Sequence, residues 1–263
     1  MAKVIAIAQH KGGVGKTTSC INIAASLRDK GYKVLLIDMD AQANLTEILG
    51  LEQYASIADA LNGKGPLPII QKDGMDIVPS SLDLADAEAK MYGKLIAREQ
   101  ILKGMLDGTK DQYDFVIMDC PPSLGLLTIN ALTAADDVII PVQAEFLAIR
   151  GLSSLLEIIK LVKANLNGKL SIFGVFVTQY DGRKVLNRDI SGALKEMFGG
   201  ELFDTMIRDN VALAEQHTAK MDIFKYAPNS NGATDYEKLT QEILTRYKDQ
   251  VPAKHTKTKG TKK

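Results

Sequence analysis

The stretch that decides the fold is Val4-Ile5-Ala6-Ile7-Ala8-Gln9-His10-Lys11-Gly12-Gly13-Val14-Gly15-Lys16-Thr17-Thr18. Val4–Ala8 is a short apolar run without polar alternation, the pattern of a strand buried on both faces of a parallel sheet. It leads into glycines at 12, 13 and 15 and then into the amphipathic stretch Thr17–Lys30. Strand, glycine-rich turn and helix in that order are what a phosphate-cradling turn requires. Glycines let the backbone wrap closely and aim its N–H groups at phosphate oxygens. A helix beginning near Lys16 adds the positive end of its dipole. In such a turn Lys16 neutralises the outer phosphates and the Thr17 hydroxyl is a ligand for Mg²⁺. Gly12, Gly13, Val14, Gly15 and Thr18 complete the candidate cradle.

Outward from this turn, short apolar runs alternate with longer helical patterns. Strands are expected at Val4–Ala8, Lys33–Asp38, Met75–Val78, Phe115–Asp119, Asp137–Val142, Ile172–Thr178 and Leu202–Ile207. Helices are expected at Thr17–Lys30, Leu82–Leu106, Leu124–Ala134, Leu147–Asn165, Leu186–Phe198 and Asp235–Tyr247. Leu152, Leu155, Leu156, Ile159 and Val162 show the three-and-four spacing of one buried helix face. Repeated β–α order predicts an α/β protein: a doubly wound, mostly parallel sheet with helices on both faces.

The chain has 263 residues, 46% of them apolar, enough for a sizeable core and too many for wholesale disorder. No linker interrupts it, so residues 1–250 are expected to form a single domain. Lys plus Arg equals Asp plus Glu at 32 each, so total charge says nothing about partners. Its distribution says more, because Pro252–Lys263 holds five lysines and no acid. Residues 251–263 are therefore read as a disordered, lysine-rich tail. Two cysteines, Cys20 and Cys120, exclude a disulfide framework and a four-cysteine zinc site within one chain. They read as buried small apolar residues. No apolar run reaches the roughly 18 residues of a membrane span, and the N-terminus is too polar for a signal peptide. A cytoplasmic protein without membrane attachment is expected.

Acids stand where crevice ligands would be. The second strand ends Ile37-Asp38-Met39-Asp40-Ala41-Gln42, and strand carboxyl ends face the ligand crevice of α/β sheets. Asp38 and Asp40, two apart on an extended chain, point the same way. Farther on, Tyr113-Asp114-Phe115-Val116-Ile117-Met118-Asp119 has four apolar residues and then an aspartate. Placed beside Lys16 and Thr17, Asp119 would hold the hydration shell of Mg²⁺. The histidines, His10, His217 and His255, have no metal-ligand spacing.

The ordinary pattern G-x-x-x-x-G-K-[ST] fails here, because its first glycine would fall on His10. What stands instead is K-G-G-x-G-K-T-T, with an additional lysine at Lys11. This resembles the deviant Walker A motif of the ParA/MinD class of P-loop ATPases. Pro121-Pro122-Ser123-Leu124-Gly125-Leu126-Leu127-Thr128-Ile129-Asn130-Ala131-Leu132, Ile139-Ile140-Pro141-Val142 and Tyr226-Ala227-Pro228-Asn229-Ser230-Asn231-Gly232-Ala233 are similar to partition ATPases of the ParA/Soj type. The likeness spans residues 3 to about 247 and points to the short form without an operator-binding extension.

The resemblance implies an ATPase with ATP and Mg²⁺ as cofactors, slow alone and activated by a ParB-like centromere-binding partner. It implies that Lys11 reaches across an ATP-dependent homodimer to the partner's nucleotide, and that the Ser123–Thr128 turn responds to the γ-phosphate. Asp40 is carried over as the residue that positions the attacking water beside the metal, and Asp38 as support for Mg²⁺ or the loop, with the reverse assignment as the alternative. Thr17, Asp40 and Asp119 make up the metal site; Lys11, Lys16 and Asp40 carry catalysis. A nucleoid-associated protein that binds double-stranded DNA without sequence preference is the implied reading. A ParA-like ATPase that positions a protein cargo is the alternative, and a MinD-like membrane-positioning ATPase or a metabolic ligase on the same fold are more distant ones.

The family segment I-P-R-N-V-R-L, which contacts adenine and carries DNA-facing arginines, corresponds here to Ile207-Arg208-Asp209-Asn210-Val211-Ala212-Leu213. Asn210 matches as the base contact, with Arg208 beside it. Both family arginines are replaced, by Asp209 and Ala212. Other cations must then meet DNA, and Arg183, Lys184, Arg188, Lys195, Arg208 and Lys220 are the candidates, with the lysine tail besides.

Overall fold

Neighbouring residues in a strand face opposite sides of its sheet, and in this chain the two sets enter separate cores. Val4, Ala6 and Ala8 pack with Leu35, Val116, Val138 and Val175 on one face. Ile5 and Ile7 pack with Leu36, Ile117, Ile139 and Phe176 on the other. A computed structural model describes residues 2–145, 148–248 and 250–251, with backbone alone at 148–150. The remainder of the lysine-rich tail expected at 251–263 lies outside the described residues.

The strands are β1 (Lys3–Ile7), β2 (Val34–Asp38), β3 (Ile70–Lys72), β4 (Met75–Val78), β5 (Phe115–Asp119), β6 (Asp137–Gln143) and β7 (Ser171–Thr178). They form one seven-stranded sheet in the order β3-β4-β2-β5-β1-β6-β7. Every pairing is parallel except β3 with β4. One face is covered by α1 (Lys16–Asp29), α2 (Asn44–Ile48) and α11 (Asn231–Arg246). The other carries α3 (Ile57–Leu61), α4 (Asp83–Tyr92), α5 (Ile101–Asp107), α6 (Leu126–Ala134), α7 (Ala148–Asn165) and α8 (Val185–Phe198). Two short helices, α9 (Val211–Thr218) and α10 (Ile223–Tyr226), precede α11. The doubly wound, mostly parallel sheet expected from the sequence is the one found.

Register places the site. Ile7 of β1 and Asp38 of β2 both lie opposite Asp119 of β5, so three central strands end level. Their carboxyl ends open on one crevice, the usual ligand position of this architecture.

Two expectations need correction. Leu202–Ile207 is not a strand, although Phe203 and Ile207 donate to the Val175 and Val177 carbonyls of β7 at 2.8 Å each. Between them the Asp204 and Thr205 amides turn instead to the Glu242 carboxylate, at 2.9 and 3.1 Å, and only isolated bridges remain. The single helix expected over Leu82–Leu106 is two, α4 and α5. Asn130 separates them: its amide nitrogen donates to the Arg98 carbonyl at 2.8 Å and its oxygen accepts from the Leu102 amide at 3.2 Å. Leu147, the expected start of α7, lies outside the described residues.

Candidate nucleotide-binding site

Between β1 and α1 the backbone turns through left-handed conformations at Gly13 (φ 74°) and Gly15 (φ 86°). A Cβ there would cost about 1–2 kcal/mol, so these two positions require glycine. The loop is gripped by side chains at the end of β7. Thr178 Oγ1 donates to the Val14 carbonyl at 2.8 Å, and Gln179 Nε2 donates to the Gly13 carbonyl at 2.7 Å. Holding those oxygens fixes the orientation of the peptide N–H groups before any ligand arrives, the preorganisation that makes anion binding efficient. Lys16 is buried, and its ammonium rests on the Lys11 carbonyl at 3.3 Å, inside the turn.

Beneath the loop lie the carboxylates. Asp119 is 1% exposed, and neither of its oxygens receives a well-aligned hydrogen bond. Burial pushes its carboxyl up from the ordinary value, and Thr17 and Lys16 pull it back. A buried pair of acceptors beside a hydroxyl and an ammonium is costly unless a cation or its hydrating water satisfies it. That donor set fits Mg²⁺ carried by a nucleotide, whose phosphates and waters supply the remaining oxygens. Among the described residues no cluster of three His, Cys, Asp or Glu could hold a metal alone.

Asp38 is otherwise engaged. Its Oδ1 accepts from the Asp40 amide at 3.1 Å, and Oδ2 accepts from the amide and hydroxyl of Thr46 at 3.0 and 2.7 Å. Burial and the neighbouring Asp119 push its pKa up. Of the two roles open to it, the geometry accords with support of the loop. Asp40 is half-buried and faces the cleft, and its Oδ1 accepts from the Gln42 amide at 3.0 Å.

The cleft above encloses about 960 Å³. Gly12, Gly13, Gly15, Lys16, Thr17, Thr18 and Asp40 line one side, and Arg208, Asn210 and Lys220 line the other. Val14 is buried under the loop; Asp38 and Asp119 are buried at the strand ends and do not line the cleft. Asn210 caps α9, its side chain accepting from the Ala212 amide at 2.9 Å, which leaves the amide NH₂ to meet a base acceptor. Arg208 makes three side-chain hydrogen bonds to Asp235, and Lys220 pairs with Glu52 at 2.7 Å.

Lys11 behaves unlike Lys16. Its ammonium leaves its own cleft and meets Gln143 Oε1 at 3.0 Å and the Glu145 carboxylate, just beyond β6. The other candidate cations gather at α8: Arg183 pairs with Asp181, Lys184 caps the helix, Arg188 donates to the Gly182 carbonyl, and Lys195 lies exposed in the last turn. Cys20 and Cys120 are free and buried, and burial pushes both thiols up.

Sequence reading had not singled out Thr178, Gln179 or His217. Thr178 ends β7, two strands from β1, Gln179 follows it, and His217 is on α9 with its ring nitrogen on the Thr18 hydroxyl. No local pattern marks any of them, because each acts on a loop distant in sequence.

A seven-stranded doubly wound sheet with a glycine-rich phosphate turn after β1 defines a P-loop ATPase fold. A family model described as an AAA domain matches residues 2–172. The chromosome-partitioning ATPase Soj of Treponema pallidum is 41% identical over 250 residues, covering 94% of this chain and 98% of that protein. The sporulation initiation inhibitor protein Soj of Bacillus subtilis is 42% identical, with 92% and 98% covered. Among solved structures, a cobyrinic acid a,c-diamide synthase from Mycobacterium smegmatis superposes with a TM-score of 0.83 and 34% identity, over 97% of this chain and 99% of that one. That protein was solved with ADP and magnesium and with an ATP analogue and magnesium. The chain belongs to the ParA/Soj family of P-loop ATPases. Among the described residues no helix is long and apolar enough to cross a membrane.

Proposed function

We propose that this protein is a DNA-partition ATPase in which Mg-ATP closes two copies face to face around two nucleotides. In this reading Lys16 and Thr17 hold the outer phosphates and the metal, Asp119 anchors the metal's hydration shell, and Asp40 orients the attacking water. Gly12, Gly13, Val14, Gly15 and Thr18 form the cradle, Asp38 stiffens the loop that carries Asp40, and Arg208 and Asn210 border the base. Mg²⁺ supplies charge neutralisation at the β- and γ-phosphates.

The observation that carries this reading is the direction of Lys11. A lysine that precedes the glycines, does not line its own cleft and is held by Gln143 and Glu145 is placed to serve the nucleotide of another molecule. Catalysis by positioning alone is then incomplete in one copy, and hydrolysis is slow until a ParB-like partner completes the geometry.

The closed dimer binds double-stranded DNA without sequence preference through Arg183, Lys184, Arg188 and Lys195 of each copy, aided by Arg208 and Lys220. Doubling the phosphate contacts couples ATP to DNA affinity and makes binding steeply salt-dependent. Hydrolysis releases the protein, which is thereby nucleoid-associated in the ATP state.

Light scattering on Asp40→Ala with and without Mg-ATP tests the reading. We expect the mass to double with Mg-ATP, and not with ADP, and Lys11→Ala to abolish the change while still binding nucleotide. An unchanged mass for Asp40→Ala overturns it. A second reading, a nucleotide-dependent synthase like the M. smegmatis relative, is favoured by that protein's name alone and predicts no ATP-dependent DNA co-sedimentation.

A further inference from the structure

We propose that His217 is a positioning residue that aims the Thr18 hydroxyl at the inner phosphate of the bound nucleotide. This rests on the nucleotide cleft of the proposed function and on neither dimerisation nor DNA binding. His217 Nε2 lies 3.0 Å from Thr18 Oγ1, a bond across 199 residues of chain, and both residues line the cleft. It joins the base-side helix α9 directly to the first turn of α1.

Thr18 has few other ways to settle its hydroxyl. In a helix a threonine commonly donates back to the carbonyl four residues earlier. Here that carbonyl belongs to Val14 and already accepts from Thr178 at 2.8 Å. The hydroxyl turns instead across the cleft to His217.

Proton direction follows from the chemistry. His217 is half-buried, and burial pushes its pKa down, so at neutral pH it offers one N–H and one acceptor. A phosphate is an anionic acceptor and draws the Thr18 proton toward itself. Thr18 then needs a donor behind it, which the tautomer protonated at Nε2 provides. The opposite tautomer would absorb the hydroxyl proton and leave the phosphate facing a lone pair. Lys16 and Thr17 stand at the outer phosphates, whereas Thr18 is next along the helix and touches α9, which Asn210 caps. Its hydroxyl therefore meets the phosphate nearest the ribose.

The test is ADP affinity for His217→Ala, His217→Gln, Thr18→Val and the double variant Thr18→Val/His217→Ala, with melting of each nucleotide-free protein. His217→Ala is expected to weaken ADP by roughly 3–12-fold, the scale of one hydrogen bond between neutral groups. His217→Gln, whose amide N–H has similar reach, should recover most of the loss. The double variant should bind no worse than Thr18→Val alone. ADP binding by His217→Ala within twofold of the parent overturns the proposal. So do losses that multiply in the double variant, or a fall in nucleotide-free stability that accounts for the whole effect, since each makes His217 a mere tether. Because ADP is read on the separate chain, failure of the dimer scheme would leave these results intact.

Discussion

The two walls of the nucleotide cleft are built on different principles. The phosphate wall comes from one short stretch, Gly12–Thr18, which offers backbone N–H groups, a helix end and one buried lysine. The base wall is the segment from Arg208 to Lys220, held by side chains reaching far in sequence: Arg208 to Asp235, His217 to Thr18, Lys220 to Glu52. A backbone cradle tolerates little change, because its geometry is covalent and its glycines occupy conformations other residues avoid. A wall tied by individual side chains can be retuned one tie at a time. The glycine-rich half is thus rigid, and the half from Arg208 to Lys220 is held by separable ties.

The sharpest way to break this contrast is to remove the phosphate wall's charge. Lys16→Ala should lower ATP affinity by on the order of 100-fold or more, since it strips charge-assisted hydrogen bonds from a partly desolvated anion. Equilibrium titration with a fluorescent ATP analogue reads this; near-parental affinity would show that the backbone amides suffice.

A smaller effect concerns the buried acids. Asp38 and Asp119 both have folded pKa values raised above the ordinary 3.8, each first by burial. The folded chain therefore holds protons that the unfolded chain releases, so these groups favour folding at low pH and lose that contribution as pH rises from about 4 through their folded values. The slope is at most about 1.4 kcal/mol per pH unit for each proton. Urea unfolding of the nucleotide-free protein should show Asp119→Asn gaining on the parent as pH increases through this window. Adding Mg²⁺ with ADP should cancel the parent's disadvantage and leave the variant unmoved. A difference independent of pH would show that burial does not raise the Asp119 carboxyl, and a parent left unstabilised by Mg²⁺ with ADP would remove Asp119 from the metal site.

The smallest effect is expected on the base wall. Arg208→Ala cuts the tie to Asp235, whose side chain is buried while the arginine is 43% exposed. A partly exposed pair of this kind contributes about 1 kcal/mol or less, so melting should shift by a few degrees at most, with ATP affinity falling less than for Lys16→Ala. An equal or larger loss of affinity would erase the distinction between the walls.

Much of the fold was legible because the central strands announce themselves. Val4–Ala8, Lys33–Asp38 and Phe115–Asp119 are apolar on both faces, as only buried parallel strands can be, and each lies within a residue of its observed position. The errors fall at the margins. β3 is three residues at the sheet edge with no apolar run to mark it, and Leu202–Ile207 has the composition of a strand but surrenders two amides to Glu242. The break between α4 and α5 depends on Asn130, about 30 residues away in sequence, and helical periodicity could not disclose it.

What the amino-acid order alone determined is the phosphate turn, the acids at the ends of β2 and β5, and the family these define. All are contiguous patterns whose chemistry is set by residue type and spacing. The tertiary structure alone decided that Lys11 meets Gln143 and Glu145, that Asp38 accepts from Asp40 and Thr46, that Thr178 and Gln179 hold the turn's carbonyls, and that His217 meets Thr18. Those outcomes depend on strand order and helix placement, which bring together atoms separated by as many as 199 residues. Local propensity is blind at that range, because such contacts exist only once the sheet has assembled.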